Sequence, residues 1–176
     1  MSERKQNKKI DKRAPVIVGV GDLVDRSKED GLNPQELLAK ACEHAIQDSG
    51  IEGLNKHIDY IGVVRFTVDF LTATNQSNFQ YSNFPRTLAN KLDVSTKHEV
   101  YAPMGGNSPQ VLLEDALVKI SVGETNCALL TGGEALQTMI AKLKAGMSLD
   151  WLDEPGGSPE MIGNNDIGFS DHEKLH

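Results

Sequence analysis

Residues 99–134 decide the fold, and they read EVYAPMGGNSPQVLLEDALVKISVGETNCALLTGGE. A short apolar run at 99–103 ends at Gly105-Gly106, and a longer one at 125–131 ends at Gly132-Gly133. Between them lies a helical pattern, with Pro109 as its first residue. A strand, a helix and a second apolar strand in this order are typical of the βαβ units that build parallel sheets.

The helix between the two strands has recognisable ends. Asn107 or Ser108 can cap its start, and Gly123 can end it. Its apolar stripe, spaced by three and four residues, consists of Leu112, Leu113, Ala116, Leu117 and Ile120. This helix therefore buries one side against a sheet.

The same alternation continues towards the N-terminus. Apolar runs predict strands at 15–21 and 58–66, and Asn33 with Glu36 forms a capping-box pattern for a helix that ends at Gly50. Further helices are predicted at 85–92 and 134–145, and a long loop at 67–83. We therefore predict an α/β fold with a mainly parallel sheet and helices on both faces. In such sheets ligands bind beyond the carboxyl ends of the strands, where both glycine pairs fall.

Charge divides the 176-residue chain into an arm and a body. Residues 1–13 hold six basic and two acidic side chains, a charge of +4, which leaves −11 for residues 14–176. We predict a disordered basic arm at 1–13 and an α/β domain at 14–145. Residues 146–176 are predicted to be the start of a poorly ordered loop region. An acidic body argues against nucleic acid as a partner.

The apolar runs and the cysteines indicate in which cellular compartment the protein is expected. No stretch approaches the roughly 18 apolar residues of a membrane helix, so no membrane partner is expected. Cys42 and Cys127 are too few and too far apart for a disulfide framework. The sequence therefore predicts a reducing, cytoplasmic location.

Three short motifs imitate well-known sites. Gly19-Val20-Gly21 follows an apolar run, but the third glycine of a dinucleotide-binding turn is replaced by Val24. Residues 172–176 read HEKLH, the zinc-protease spacing, without an apolar helix or a downstream third ligand. Ser108 occupies a nucleophile-elbow position, but the following Pro109 has no N–H for an oxyanion. We therefore expect Gly19-Val20-Gly21 to form a tight exit from a strand and residues 172–176 to bind no metal ion. We expect Ser108 to cap a helix.

Five segments, in this order along the chain, resemble the N-terminal half of the thiolase superfamily. They are residues 14–19, 34–50, 85–89, 101–110 and 120–134. Within that superfamily the chain is most similar to thiolase-like proteins often described as acetyl-CoA acetyltransferases, which share the Gly-Gly-Asn-Ser/Thr-Pro-Gln turn. The resemblance implies a thiolase-like N-terminal domain, incomplete relative to the family, with acyltransferase chemistry on acyl-CoA.

One residue departs from that chemistry. Active thiolases carry a cysteine in this turn, where the helix N-terminus stabilises the thiolate that takes the acyl group. In this sequence the position falls on Gly105, and a slip of one residue gives Met104 or Gly106. We therefore predict no catalytic residue, and a weak substrate-binding turn made by Gly105, Gly106, Asn107 and Ser108.

The family's histidine and second cysteine come from a C-terminal half for which this sequence has no counterpart. The chain is therefore either a natural half-thiolase or truncated. The resemblance implies no cofactor beyond coenzyme A or acyl-CoA as ligand, and a homodimer formed through the third strand and its helix. The alternative is a non-catalytic binding or assembly subunit that pairs with a full-length thiolase-like partner. A third hypothesis is a serine acyl-hydrolase that uses Ser108, and we expect no such activity.

Overall fold

The structure is a computed structural model, and it describes residues 12–67, 69, 81–151 and 153–163. Helices and strands alternate along it as the sequence predicts. In chain order they are α1 (Pro34–Asp48), β1 (Tyr60–Val64), α2 (Phe84–Lys91), β2 (His98–Ala102), α3 (Ser108–Val122), β3 (Ala128–Thr131), α4 (Leu136–Lys144) and β4 (Glu160–Met161). A single 3₁₀ turn, Leu54–Lys56, precedes β1.

The described strands form one parallel sheet in the order β3-β1-β2-β4. Tyr60 is level with His98 on one side and with Ala128 on the other, so the three longer strands begin together. Their carboxyl ends consequently meet at one edge. This arrangement confirms the predicted α/β fold with a parallel sheet.

Alternating side chains of β1 divide the core into two layers. Ile61 and Val63 face a larger cluster that includes Leu38 of α1 and Leu88 of α2, whereas Tyr60 faces a smaller one. The smaller cluster contains Leu112 and Ala116 of α3. Because a parallel sheet must be covered on both faces, α3 packs on one face while α1, α2 and α4 pack on the other.

Local sequence explains the helix ends. The Asn33 side chain accepts a hydrogen bond from the Glu36 N–H, and the Glu36 carboxylate accepts one from the Asn33 N–H, which is the predicted capping box. Helix α3 ends at Gly123, whose φ of 81° is the left-handed conformation that favours glycine. None of the described helices is long and apolar enough to cross a membrane.

The buried strand predicted at residues 15–21 is wrong. Among the described residues this segment has no regular secondary structure and pairs with no strand, and the side chains of Val16 and Ile17 are 77% and 79% exposed. The segment lies on α1 instead, because Gly21 brings its backbone against the helix: a Cβ on Gly21 would lie 2.4 Å from the carbonyl oxygen of Ala41. A cavity separates it from β3.

Residues after 145, where the sequence predicts a loop region, nevertheless contribute to the core. Leu149 and Trp151 are buried in the larger core cluster. Residues Glu160–Met161 pair with Val100 and Tyr101 as the last strand of the sheet. Isolated apolar residues in a Gly- and Pro-rich stretch carry no periodicity, so their burial could not be predicted from the pattern.

Candidate functional site

The predicted binding turn connects the end of β2 to the start of α3. The backbone carbonyl of Gly105 accepts a hydrogen bond from the Ser108 N–H at 3.1 Å. The backbone carbonyl of Asn107 accepts hydrogen bonds from the N–H groups of Gln110 and Val111 at 3.0 and 3.1 Å. Asn107 is the N-cap residue by position, although its side chain makes no capping hydrogen bond. The helix begins at Ser108, one residue earlier than predicted.

The structure brings the four predicted site residues together but exposes them differently. Gly105, Gly106 and Asn107 are exposed, whereas Ser108 is 2% exposed. The backbone of this turn is therefore accessible to a ligand, while the Ser108 hydroxyl is not presented to solvent. This burial is unfavourable for a serine nucleophile. The prediction that Ser108 caps the helix is wrong, because Ser108 is the first residue of the helix and Asn107 is its N-cap.

Gly105 has room for a side chain. Its φ is not positive, so an L-residue fits the backbone without strain. A Cβ placed there would lie 3.2 Å from the Asn107 Oδ1 and from the Ser108 Oγ. A side chain at position 105 would therefore contact two polar groups after a small adjustment, whereas a Cβ on Gly106 would meet nothing within 4 Å.

A cavity of about 470 Å³ lies next to this turn. It is lined by Val64 at the end of β1, by Pro109 and Leu112 of α3, and by residues 130–133 at the end of β3. It thus opens at the carboxyl edge of the sheet, where parallel α/β proteins bind ligands. Its side chains are mostly aliphatic, so it suits an apolar group.

The second glycine pair allows this edge to pack tightly. A Cβ on Gly132 would lie 3.2 Å from the Val64 Cβ, and one on Gly133 would lie 2.9 Å from the Leu38 Cδ1. The following Glu134 accepts hydrogen bonds from the N–H groups of Thr67 and Ala135, at 2.7 and 3.0 Å. The Gly-Gly-Glu passage therefore joins the exits of β1 and β3 rather than contributing a reacting group.

Neither cysteine has the surroundings of a reactive thiol. Cys42 is buried on α1, and burial raises the pKa of its thiol to about 11. Cys127 is half-buried just before β3, at the opposite end of the sheet from the turn, and burial together with the charge of Asp59 raises its pKa. A raised pKa keeps a thiol protonated and unreactive at neutral pH.

Three buried carboxylates form polar networks that the sequence did not indicate. Asp59 binds groups at the amino edge of the sheet, and Glu99 binds Arg86, Asn83 and Thr96. Asp69 accepts a hydrogen bond from the Tyr101 hydroxyl at 2.9 Å and pairs with the Arg65 Nε at 3.0 Å. Apart from Arg65 and Thr96, which are close in sequence to the carboxylates that they contact, the partners come from distant parts of the chain, which sequence spacing cannot show.

These networks provide no second chemical centre. His98 begins β2 and contacts Glu160 at 2.8 Å, so its imidazole also lies at the edge opposite the turn. In the ranges that the structure covers, no three His, Cys, Asp or Glu side chains are grouped to hold a metal ion. The HEKLH motif at 172–176 lies outside the described residues.

The fold of the described residues has a counterpart among solved structures. The chain is similar to a monomeric SCP2-thiolase-like protein type 1 from Mycobacterium smegmatis, with 29% sequence identity and a TM-score of 0.54. The match covers 71% of this chain and 24% of that one, so this chain spans about a quarter of its length. No protein-family model matches the sequence, and no curated protein matches it. The fold is thus thiolase-like.

Proposed function

We propose that this chain is an acyl-CoA-related, thiolase-like protein that binds acyl-CoA at the 105–108 turn without forming a thioester. The observation that carries the proposal is the position of Gly105 in a strand–turn–helix of a thiolase-like sheet. The exposed backbone of the turn and the adjoining aliphatic cavity support binding of a thioester group. By resemblance the ligand class is that of acetyl-CoA acetyltransferases.

Because position 105 has no thiol, the proposal is tested by measuring whether acetyl-CoA acetylates the chain covalently. The purified chain is incubated with acetyl-CoA, and intact-mass spectrometry measures covalent acetylation. We expect no adduct on the wild-type chain or on the Cys42→Ala/Cys127→Ala variant, and acetylation when Gly105→Cys is added to that double variant. The new thiol would lie beside the Ser108 hydroxyl at a helix start, which favours the thiolate.

Two neighbouring variants are matched controls. Met104→Cys and Gly106→Cys place the same thiol one residue away, and Gly106 has no polar group near its Cβ position. We expect them to acetylate more slowly than Gly105→Cys. Equal rates for all three would contradict the special position of residue 105, and a stable thioester on Cys127 of the wild-type chain would contradict the non-acylating proposal.

The second candidate function is a non-catalytic assembly subunit, and one observation favours it. Val118 and Val122 lie four residues apart on α3 and are 60% and 55% exposed. An exposed aliphatic pair on a helix is a candidate protein contact. We propose a cytoplasmic homodimer through α3, because β2 is already flanked by β1 and β4. Sedimentation velocity tests it. A dimer weakened by Val118→Asp is expected, and a monomer at all concentrations contradicts it.

A further inference from the structure

A cluster of charged and titratable side chains joins α3 to β2 and β4. The His98 Nδ1 lies 2.8 Å from the Glu160 Oε1, and the Lys119 Nζ lies 3.8 Å from the Glu160 Oε2. The Lys119 Nζ also donates to both carboxylate oxygens of Asp115, at 2.9 and 3.0 Å. We call His98, Asp115, Lys119 and Glu160 the charge cluster.

The charge cluster lacks one positive charge unless His98 is protonated. Asp115 and Glu160 carry two negative charges and Lys119 carries one positive charge, so the sum is −1 with a neutral imidazole and zero with a charged one. Asp115 binds the Lys119 ammonium closely, whereas Glu160 lies farther from it. A charge on His98 therefore acts mainly on Glu160.

Tyr60, which faces His98 from β1, does not change its charge near neutral pH. Its ring centroid lies 6.0 Å from the imidazole centroid, and its hydroxyl donates to the Asp115 Oδ2 at 2.8 Å. Burial and this hydrogen bond raise the pKa of Tyr60, so the hydroxyl stays protonated. Of the charge cluster and Tyr60, only His98 is of a residue type whose charge changes between about pH 5 and 8.

The charged neighbours of His98 along the chain are paired with other groups. Lys97, directly before it, contacts the Asp59 carboxylate at 2.8 Å, and Glu99, directly after it, pairs with an arginine of α2. Asp59 offers the His98 N–H only its backbone carbonyl, at 3.1 Å. These two carboxylates therefore have cations of their own, and the imidazole contacts Glu160.

Few backbone hydrogen bonds hold β4. In the described part of the chain, Glu160 and Met161 are level with Val100 and Tyr101 of β2. The Ile162 N–H adds a bond of 3.4 Å to the Tyr101 carbonyl, which is long for a hydrogen bond. The side-chain contacts of Glu160 are therefore a large part of what fixes this strand.

The other end of β4 meets the turn at 105–108. A Cβ placed on Gly163 would lie 3.1 Å from the Pro103 Cδ and 3.7 Å from the Val111 Cγ1. Pro103 precedes the turn and Val111 belongs to the start of α3, so Gly163 lies beside both sides of it. Movement of β4 would consequently remove a support of the turn.

We propose that the charge cluster is a pH-sensitive clasp, in which protonation of His98 tightens β4 on β2 and steadies the turn at 105–108. A charged imidazole keeps its hydrogen bond to Glu160 and adds an attraction between opposite charges. Since free histidine has a pKa of about 6.5, this attraction is present below that pH and is lost at higher pH. It is also lost below about pH 4, where glutamate becomes protonated. The inference rests on the proposed function only where it treats the turn as a ligand site.

Amide hydrogen exchange, measured on the full chain without ligand, tests the proposal. The quantity compared is the protection factor of the Ile162 amide, which is corrected for the effect of pH on intrinsic exchange. We expect it to be about two- to fivefold higher at pH 5.5 than at pH 8, the range for a partly exposed ion pair. The Val63 amide, in the middle of the sheet, is the internal reference for global unfolding.

Three variants separate the charge of His98 from its packing. His98→Gln keeps a hydrogen-bond donor but carries no charge, so Ile162 should be equally protected at both pH values. His98→Lys is charged at both pH values and should keep the higher protection at pH 8. His57→Gln is the matched control, because His57 is exposed and lies outside the charge cluster, and it should keep the wild-type difference.

Three results would overturn the clasp: equal protection of wild-type Ile162 at both pH values, an undiminished difference in His98→Gln, or loss of the difference in His57→Gln. The Ser108 amide, which donates to the Gly105 carbonyl, reports on the turn. Its protection should change with that of Ile162. A constant Ser108 amide beside a changing Ile162 amide would contradict the effect of the clasp on the turn.

Failure of this inference and failure of the proposed function give different results. The exchange experiment contains no acyl-CoA, so it does not depend on ligand binding. Absent acetylation of Gly105→Cys together with a pH-dependent Ile162 amide would contradict the proposed function alone. Acetylation of Gly105→Cys together with an Ile162 amide unaffected by pH would contradict this inference alone.

Discussion

At the scale of single residues, Asp59 connects three strands at the amino edge of the sheet. Its carboxylate accepts hydrogen bonds from the Asn126 N–H at 3.0 Å, the Asn126 Nδ2 at 2.9 Å and the Lys97 Nζ at 2.8 Å. Burial alone would raise the pKa of Asp59, but the bonds from Lys97 and from the N–H groups of Asn126 and Cys127 lower it. The ionised form is therefore the one that the fold stabilises.

We predict that Asp59→Asn lowers the free energy of unfolding by about 2 kcal/mol at pH 7, because an amide replaces a charged acceptor of several bonds. Since the folded pKa lies below the unfolded value of about 3.9, this contribution is complete above that pH and is lost as the pH falls through the folded pKa. Urea titrations at pH 7 and pH 3 measure it. The difference between variant and wild type should shrink at pH 3, and exposed Asp150→Asn should change neither value.

At the scale of elements, the contact between segment 14–21 and α1 depends on glycine. A Cβ on Gly21 would lie 2.4 Å from both the Ala41 carbonyl oxygen and the Ala45 nitrogen. Both are helix backbone atoms, which cannot rotate away. We predict that Gly21→Ala separates the segment from α1 and costs about 1–3 kcal/mol of stability. Hydrogen exchange at the Val20 amide, which donates to Asp48, should become faster.

Gly106→Ala is the control for this prediction, because a Cβ on Gly106 meets no atom within 4 Å and its φ is not positive. It should leave both the stability and the exchange rate at Val20 unchanged. If Gly21→Ala behaved in the same way, the close approach of the segment to α1 would be contradicted.

The elements that the sequence predicted correctly are those whose signals are local. The capping box at Asn33 and the glycine at 123 fix helix ends without help from distant residues. The 15–21 run shows the limit, since an apolar β-branched sequence indicates an extended backbone but not whether a strand lies beside it. Likewise the 104–110 turn could be located, but the Asp59 network depends on the register of three strands, which no spacing encodes.

At the scale of the whole molecule, the chain after α4 is part of the same core. Trp151 is 3% exposed and Leu149 is 7% exposed, and both lie in the cluster formed by α1, α2 and one face of the sheet. If this stretch were a loose appendage, its unfolding would precede that of the sheet. Because it shares the core, we predict one cooperative transition for the described part of the chain.

Trp151, the single tryptophan, reports on this directly. Its fluorescence and far-UV circular dichroism should give coincident urea transitions. Leu149→Ala should shift both together, lowering the free energy of unfolding by about 2–4 kcal/mol, because it opens a cavity in the shared core. Leu143→Ala removes the same side-chain atoms from a site 53% exposed, so it should cost below about 0.5 kcal/mol. A fluorescence transition at lower urea than the circular dichroism transition would show instead that residues 146–163 unfold separately, and the core would then end at α4.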